Sequence, residues 1–141
     1  MQAVEIKVGL IGYPKTGKTK FIEKLLYDDS NINNKPYEPT FGVNVYPYDI
    51  TYMNHKYRIN LWDCAGDPRY MGLGKDYIQD ADYVFIFKDE HKDNTVFEEW
   101  LPEQTCFSYV DMNVEEDPIS NIMSDIKYNI IELYSELLIH T

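Results

Sequence analysis

Chemistry is concentrated in the run Gly12-Tyr13-Pro14-Lys15-Thr16-Gly17-Lys18-Thr19, which fits the spacing G-x-x-x-x-G-K-[ST]. A glycine-bounded loop between a strand and a helix turns successive backbone N–H groups inward. The helix that follows adds the positive end of its dipole, so phosphate oxygens bind without a dedicated side-chain cage. On that chemistry Lys18 reaches the β- and γ-phosphates of a nucleotide and the Thr19 hydroxyl ligates Mg²⁺. A second group is Asp63-Cys64-Ala65-Gly66, an aspartate and a glycine three apart at the end of an apolar run. Alone this is ordinary turn chemistry. In an open α/β sheet, however, ligands lie outside the carboxyl ends of the strands, where the glycine loop also lies. Asp63 and Thr19 can therefore share one cation, and the Gly66 amide can approach the terminal phosphate.

The elements that must position these groups are legible around them. The apolar run Val4 to Ile11 predicts a buried strand, and Lys20 to Leu26 a helix, which is the context the loop requires. Residues 27–40 are polar, with Pro36 and Pro39, and predict a long exposed loop of the kind that carries function. Val43 to Tyr52 and Tyr57 to Trp62 are β-rich runs around Met53-Asn54-His55, an antiparallel hairpin whose first strand Pro47 confines to an edge. His55 belongs to the turn on this reading and is solvated there. Asp67 to Gln79 contains Pro68, Gly72 and Gly74 and predicts a broken, mobile helix. Ala81 to Phe87 and Thr105 to Val110 predict strands, with a short helix over Asp93 to Leu101 capped by Asn94. Asp117 and Pro118 open a final helix whose stripe of Ile119, Ile122, Met123, Ile126, Ile130, Leu133 and Leu137 recurs at helical spacing.

Bulk properties narrow the classes. A length of 141 residues fits one domain, 1–141, since single domains cluster near ~100–150 residues. With 24 acidic and 13 basic side chains the net charge is -11, which repels phosphate backbones and anionic lipid. Nucleic acid is thereby disfavoured as a partner, and basic-surfaced proteins are favoured. Cys64 and Cys106 have no metal-ligand spacing, the start Met1-Gln2-Ala3-Val4 reads neither as a signal peptide nor as a myristoylation site, and the last four residues offer no cysteine to prenylate. The expectation is an unanchored intracellular chain, cytoplasmic or nuclear, with reduced thiols. Abundant Tyr, Asn, Ile and Asp suit an AT-rich viral or protist genome.

Taken together, Gly12 to Thr19, Pro39-Thr40-Phe41-Gly42-Val43 and Leu61-Trp62-Asp63-Cys64-Ala65-Gly66 resemble the phosphate loop, switch I and switch II of Ras-superfamily GTPases, most closely Ran and then Rab. The resemblance covers about residues 4–90 and fades in the last third. It implies an α/β fold of the P-loop NTPase type: a mixed sheet, mostly parallel with one antiparallel edge strand, flanked by helices and shorter than the family's. It also implies that Gly12, Lys15, Thr16, Gly17, Lys18, Thr19 and Lys20 hold GTP or GDP. Thr40 would bind Mg²⁺ and the γ-phosphate, Asp63 would act through the metal, and Gly66 would sense the γ-phosphate. Protein partners, transport or trafficking factors among them, would dock on switch I and switch II.

Three departures qualify the activity. The family's water-orienting Gln after D-x-x-G is Asp67 here, a shorter and negatively charged group that would orient water poorly and repel the γ-phosphate unless Mg²⁺ or Lys15 compensates, so with Lys18 and Asp67 as the catalytic residues the expected intrinsic GTP hydrolysis is slow. Pro14 stands where the family has glycine or another small residue, and its ring crowds an incoming arginine finger. No N-K-x-D guanine-reading motif is present. Either Ser108-Tyr109-Val110-Asp111 is a degraded version in which Asp111 still accepts the guanine protons, or the guanine strand and its helix are deleted and Asn113 to Pro118 precede the family's last helix. Three functions follow. The first is a guanine-nucleotide switch with impaired hydrolysis. The second is a non-cycling decoy that occupies partners of Ran- or Rab-like proteins. A small-molecule kinase explains the loop but neither the hairpin nor Asp63-Cys64-Ala65-Gly66.

Overall fold

The computed structural model describes residues 3–18, 20–22, 43–64, 71–112 and 118–131. Five strands, β1 (Val4–Gly12), β2 (Val43–Tyr52), β3 (His55–Cys64), β4 (Tyr83–Phe87) and β5 (Cys106–Val110), form one sheet in the order β2-β3-β1-β4-β5. β1 pairs in parallel with β3 and with β4, β4 pairs in parallel with β5, and β2 runs antiparallel to β3. This is the expected mixed sheet with one antiparallel edge strand. The edge position of β2 accommodates Pro47, which has no N–H to give to a second neighbour. Among the described residues no helix is long and apolar enough to cross a membrane.

Patterning explains which strands are central. All five residues of β4 are buried, as are Val8 to Gly12 of β1, because both strands are covered on both faces. β3 instead alternates, with Tyr57, Ile59 and Leu61 buried on one face. That face joins Ile6, Val8, Leu10, Phe85 and Phe87 to Phe21 and Ile22 of the helix that follows the glycine loop, and to Ile126 and Ile131. The opposite face gathers Ile11, Cys64, Val84 and Ile86 with Ile78 and Phe97. The sheet is thus the middle of three layers, and its four parallel strands end along one edge.

Local chemistry differs from the sequence expectation at several points. Met53 and Asn54 have φ of 51° and 66°, a two-residue hairpin turn with both central residues left-handed. His55, expected in the turn, already opens β3 opposite Tyr52. A helix, α1, forms over Met71–Tyr77 despite its two glycines. A Cβ at Gly74 would stand 3.3 Å from Trp100 and 3.4 Å from Cys64, so glycine lets α1 lie close to the second layer. The segment expected as a helix from Asp93 is a 3-10 helix, Asn94–Trp100, capped by Asp93 rather than Asn94. Asp93 holds extended backbone angles and its carboxylate accepts the Thr95 N–H at 3.0 Å. The Asn94 side chain is spent elsewhere, accepting from the Asp89 N–H and donating to the Asp89 and Lys92 carbonyls. The last helix, α2, begins at Pro118 as expected and runs to Ile126, then widens to a π-helix over Lys127–Ile131. Ile131, outside the expected stripe, is buried with Ile126, a separation of one wide turn. Leu133 and Leu137 lie outside the described residues.

Candidate functional site

β1 ends at Gly12, whose φ of 149° and close approach to β4 admit no side chain: a Cβ there would lie 2.6 Å from the Phe87 carbonyl oxygen. The chain then turns through Tyr13 to Gly17, with Lys15 at φ 64° and Gly17 at φ 98°. Alternation of left- and right-handed residues is what curls a loop around an anion and aims its N–H groups inward. Helical geometry resumes at Lys18, and the Phe21 N–H donates to the Gly17 carbonyl at 2.8 Å. The loop is braced from within by Thr16, which is buried and whose hydroxyl donates to the Tyr13 carbonyl at 2.9 Å.

Lys18 is the centre of the arrangement. It is only 6% exposed, and its ammonium donates to the carbonyls of Gly12 at 3.0 Å and Tyr13 at 3.3 Å. Burial pulls it below the ordinary lysine value, while Asp63 and Cys64 act in the opposite direction. Asp63 comes to it through the sheet: parallel pairing places Asp63 beside Leu10, two residues before the loop. Burial pushes the Asp63 carboxyl up to about 6 against the pull of Lys18, and burial with Asp63 pushes the neighbouring Cys64 thiol up to about 12. A cation and an anion both largely removed from water are each worse off than in solvent and gain from a ligand that brings the opposite charge.

The expected residues therefore divide. Gly12, Lys15, Thr16, Gly17, Lys18 and Asp63 converge at the carboxyl ends of β1 and β3. Lys20 is exposed on the first helical turn. Asp111 follows β5 directly and is half-buried. Thr19, Thr40, Gly66 and Asp67 lie outside the described residues. Among the described residues no group of three metal-ligating side chains exists, and Asp63 is the carboxylate at the loop. That donor set fits Mg²⁺, which is held by one or two carboxylates and by substrate phosphates rather than by a full protein cage.

Two neighbours escaped the sequence reading. Met112 packs on the loop, so that a Cβ on Gly17 would meet its Cγ at 2.7 Å and its Cβ at 3.0 Å. Tyr13 points away from the loop toward the 3-10 helix, meeting Phe97 edge-on. Met112 is distant in sequence and carries no motif. An aromatic inside a loop of otherwise short or charged side chains was the available signal for Tyr13.

The family model described as Ras of Complex, Roc, domain of DAPkinase matches residues 7–115. That span runs from β1 through the loop and the hairpin to just past β5. Since the match takes in 109 of the 141 residues, and the sheet order and the loop geometry agree with it, the chain belongs to the Roc family of Ras-superfamily GTPase domains.

Proposed function

We propose that this chain is a Mg²⁺-dependent guanine-nucleotide switch, one domain over residues 1–141, that hydrolyses GTP slowly. The observation that carries the reading is Lys18, buried at the mouth of the loop, bonded among the described residues to the main-chain carbonyls of Gly12 and Tyr13 and under the electrostatic pull of Asp63. Triphosphate oxygens entering the loop would give the Lys18 ammonium a better partner than two neutral carbonyls, because hydrogen bonds between charged groups are the stronger ones. The N–H groups between Tyr13 and Lys18, Pro14 excepted, would surround the same oxygens. Mg²⁺, when bound, neutralises charge on the β- and γ-phosphate oxygens, and Thr19, Thr40 and Asp63 are the residues to hold it.

Gly66 and Thr40 then serve as the γ-phosphate sensors of switch II and switch I, and the likeness to Ran and Rab rests on Thr16 to Thr19, on the Thr40 segment leading into Val45-Tyr46-Pro47 and on Tyr77-Ile78-Gln79. Switch loops ordered by the γ-phosphate and released on hydrolysis would present different surfaces to partners. The charge of -11 favours basic ones. Asp67 supports slow turnover, since a carboxylate beside the γ-phosphate repels it and orients water poorly. The same residue favours the second reading, a non-cycling decoy. Single-turnover hydrolysis separates them: the switch gives a slow rate above the no-protein blank that Lys18→Ala abolishes, and the decoy gives none. The last helix opens at Pro118, eight residues after β5 ends at Val110, which supports loss of the guanine strand. The delivery of Met112 to Gly17 at the end of β5 supports instead a base-side role for residues around Asp111. An Asp111→Ala variant whose GTP preference over ATP is unchanged favours the deletion.

A further inference from the structure

Tyr13 is engaged at both ends. Its hydroxyl donates to the Asp93 carbonyl at 3.0 Å, and its ring meets Phe97 edge-on at 4.9 Å between centroids. The Lys92 ammonium stands 4.7 Å from the same ring. Lys92 and Asp93 lead into the 3-10 helix and Phe97 lies within it. Phe97 is fully buried and packs on Trp100 at 4.9 Å, so the far end of this clamp is fixed in the second core layer. At the other end, the Tyr13 main-chain carbonyl accepts from the Thr16 hydroxyl at 2.9 Å and from the Lys18 ammonium at 3.3 Å. The peptide carrying that carbonyl joins Tyr13 to Pro14 and has no N–H, so it has no donor of its own to anchor it, while Pro14 locks the backbone angle on its far side. What holds the direction of the carbonyl is therefore the grip on the Tyr13 side chain and the two donors it receives.

We propose that Tyr13 is a positioning residue for Lys18: clamped to Asp93 and Phe97, it holds its own carbonyl where the Lys18 ammonium is kept inside the loop and presented to phosphate. The inference rests on the nucleotide-binding reading above and adds a residue to it that touches no phosphate through its side chain. A side chain that merely fills the second core layer would affect stability without singling out Lys18.

Tyr13→Phe keeps the ring against Phe97 and removes only the bond to Asp93, so it leaves the fold intact. Two quantities are measured on the nucleotide-free full chain and the variant: the affinity for GTP with Mg²⁺ by titration, and the rate at which acetic anhydride acylates individual lysines, read by mass spectrometry. Lys7 serves as internal reference, because it sits on the same strand as the loop but is held by Asp80. The expected result is GTP binding weakened about 2- to 10-fold, the worth of one hydrogen bond, with Lys18 acylated faster by a similar factor and Lys7 unchanged. Equal GTP affinity in the variant overturns the inference, as does acceleration that is the same at Lys7 as at Lys18. A wild-type chain that binds neither GTP nor GDP overturns the nucleotide-binding reading and this inference with it, whereas a wild type that binds and a variant that binds as well overturn this inference alone.

Discussion

Replacing Asp63 with Asn should stabilise the nucleotide-free protein while damaging the site. The Asp63 carboxyl rises from 3.8 to about 6 on folding, mainly through burial and in spite of Lys18. At about 1.36 kcal/mol per pH unit, keeping that group ionised in the folded state at neutral pH costs about 3 kcal/mol. A carboxyl whose folded value lies above its unfolded value favours folding fully below the unfolded value, near pH 4, and loses that contribution as pH rises to about 6. Asparagine has a similar shape and cannot ionise, so it escapes the loss. The stability difference between Asp63→Asn and wild type should therefore grow with pH, from about half its full size near pH 5 to as much as about 3 kcal/mol at pH 8. Urea unfolding of both proteins in EDTA, without nucleotide, at several values between pH 5 and 8 measures it. A variant less stable than wild type at pH 8, or a difference that does not change with pH, would refute the claim that desolvation of Asp63 strains the empty site. A carboxylate retained at such a cost is expected where it is needed for a ligand.

Further outcomes follow from the same geometry. Gly12→Ala combines a backbone angle that L residues rarely adopt with a Cβ 2.6 Å from the Phe87 carbonyl oxygen, and should destabilise the fold by at least about 2 kcal/mol in chemical denaturation. At pH 8 one thiol per native chain should react with Ellman's reagent and a second only after denaturation, because Cys106 is exposed whereas Cys64 is buried with its thiol pushed up to about 12; Cys106→Ser should remove the fast one. Asp67→Gln supplies a neutral group able to orient water and should raise the single-turnover rate of GTP hydrolysis.

The loop was legible because its function is a backbone conformation, and backbone conformations leave glycines at fixed spacing: Gly12 and Gly17 stand at the two positions of the turn whose φ exceeds +90°. The sheet was legible because burial on one face or two leaves period-2 alternation in β3 and an unbroken apolar run in β4. Asp63 followed from strand ends sharing an edge. Choices between chemically equivalent residues were not legible. Asp93 and Asn94 both cap helices well, and only the hydrogen bonds of Asn94 to Asp89 and Lys92 decide between them. The π turn after Ile126 breaks the 3.6-residue period on which the final stripe was read, so Ile131 could not be placed in the core. Met112 on Gly17 and Tyr13 on Phe97 are long-range packing contacts that no local pattern encodes. The Roc family, matched over residues 7–115, was reached from the motifs only as a likeness to Ras-superfamily GTPases, with Ran and then Rab as the nearest branches, because the phosphate-loop and switch motifs are shared across that superfamily.

The most direct test of the central claim is isothermal titration of the nucleotide-free protein with GTP in the presence of Mg²⁺, set beside the same titration of Lys18→Ala. Wild type should bind, and the variant, with its circular dichroism unchanged, should lose affinity by at least about tenfold, the worth of a charge-assisted contact. Absence of GTP binding to wild type up to millimolar concentration, or equal affinity in Lys18→Ala, would contradict the account.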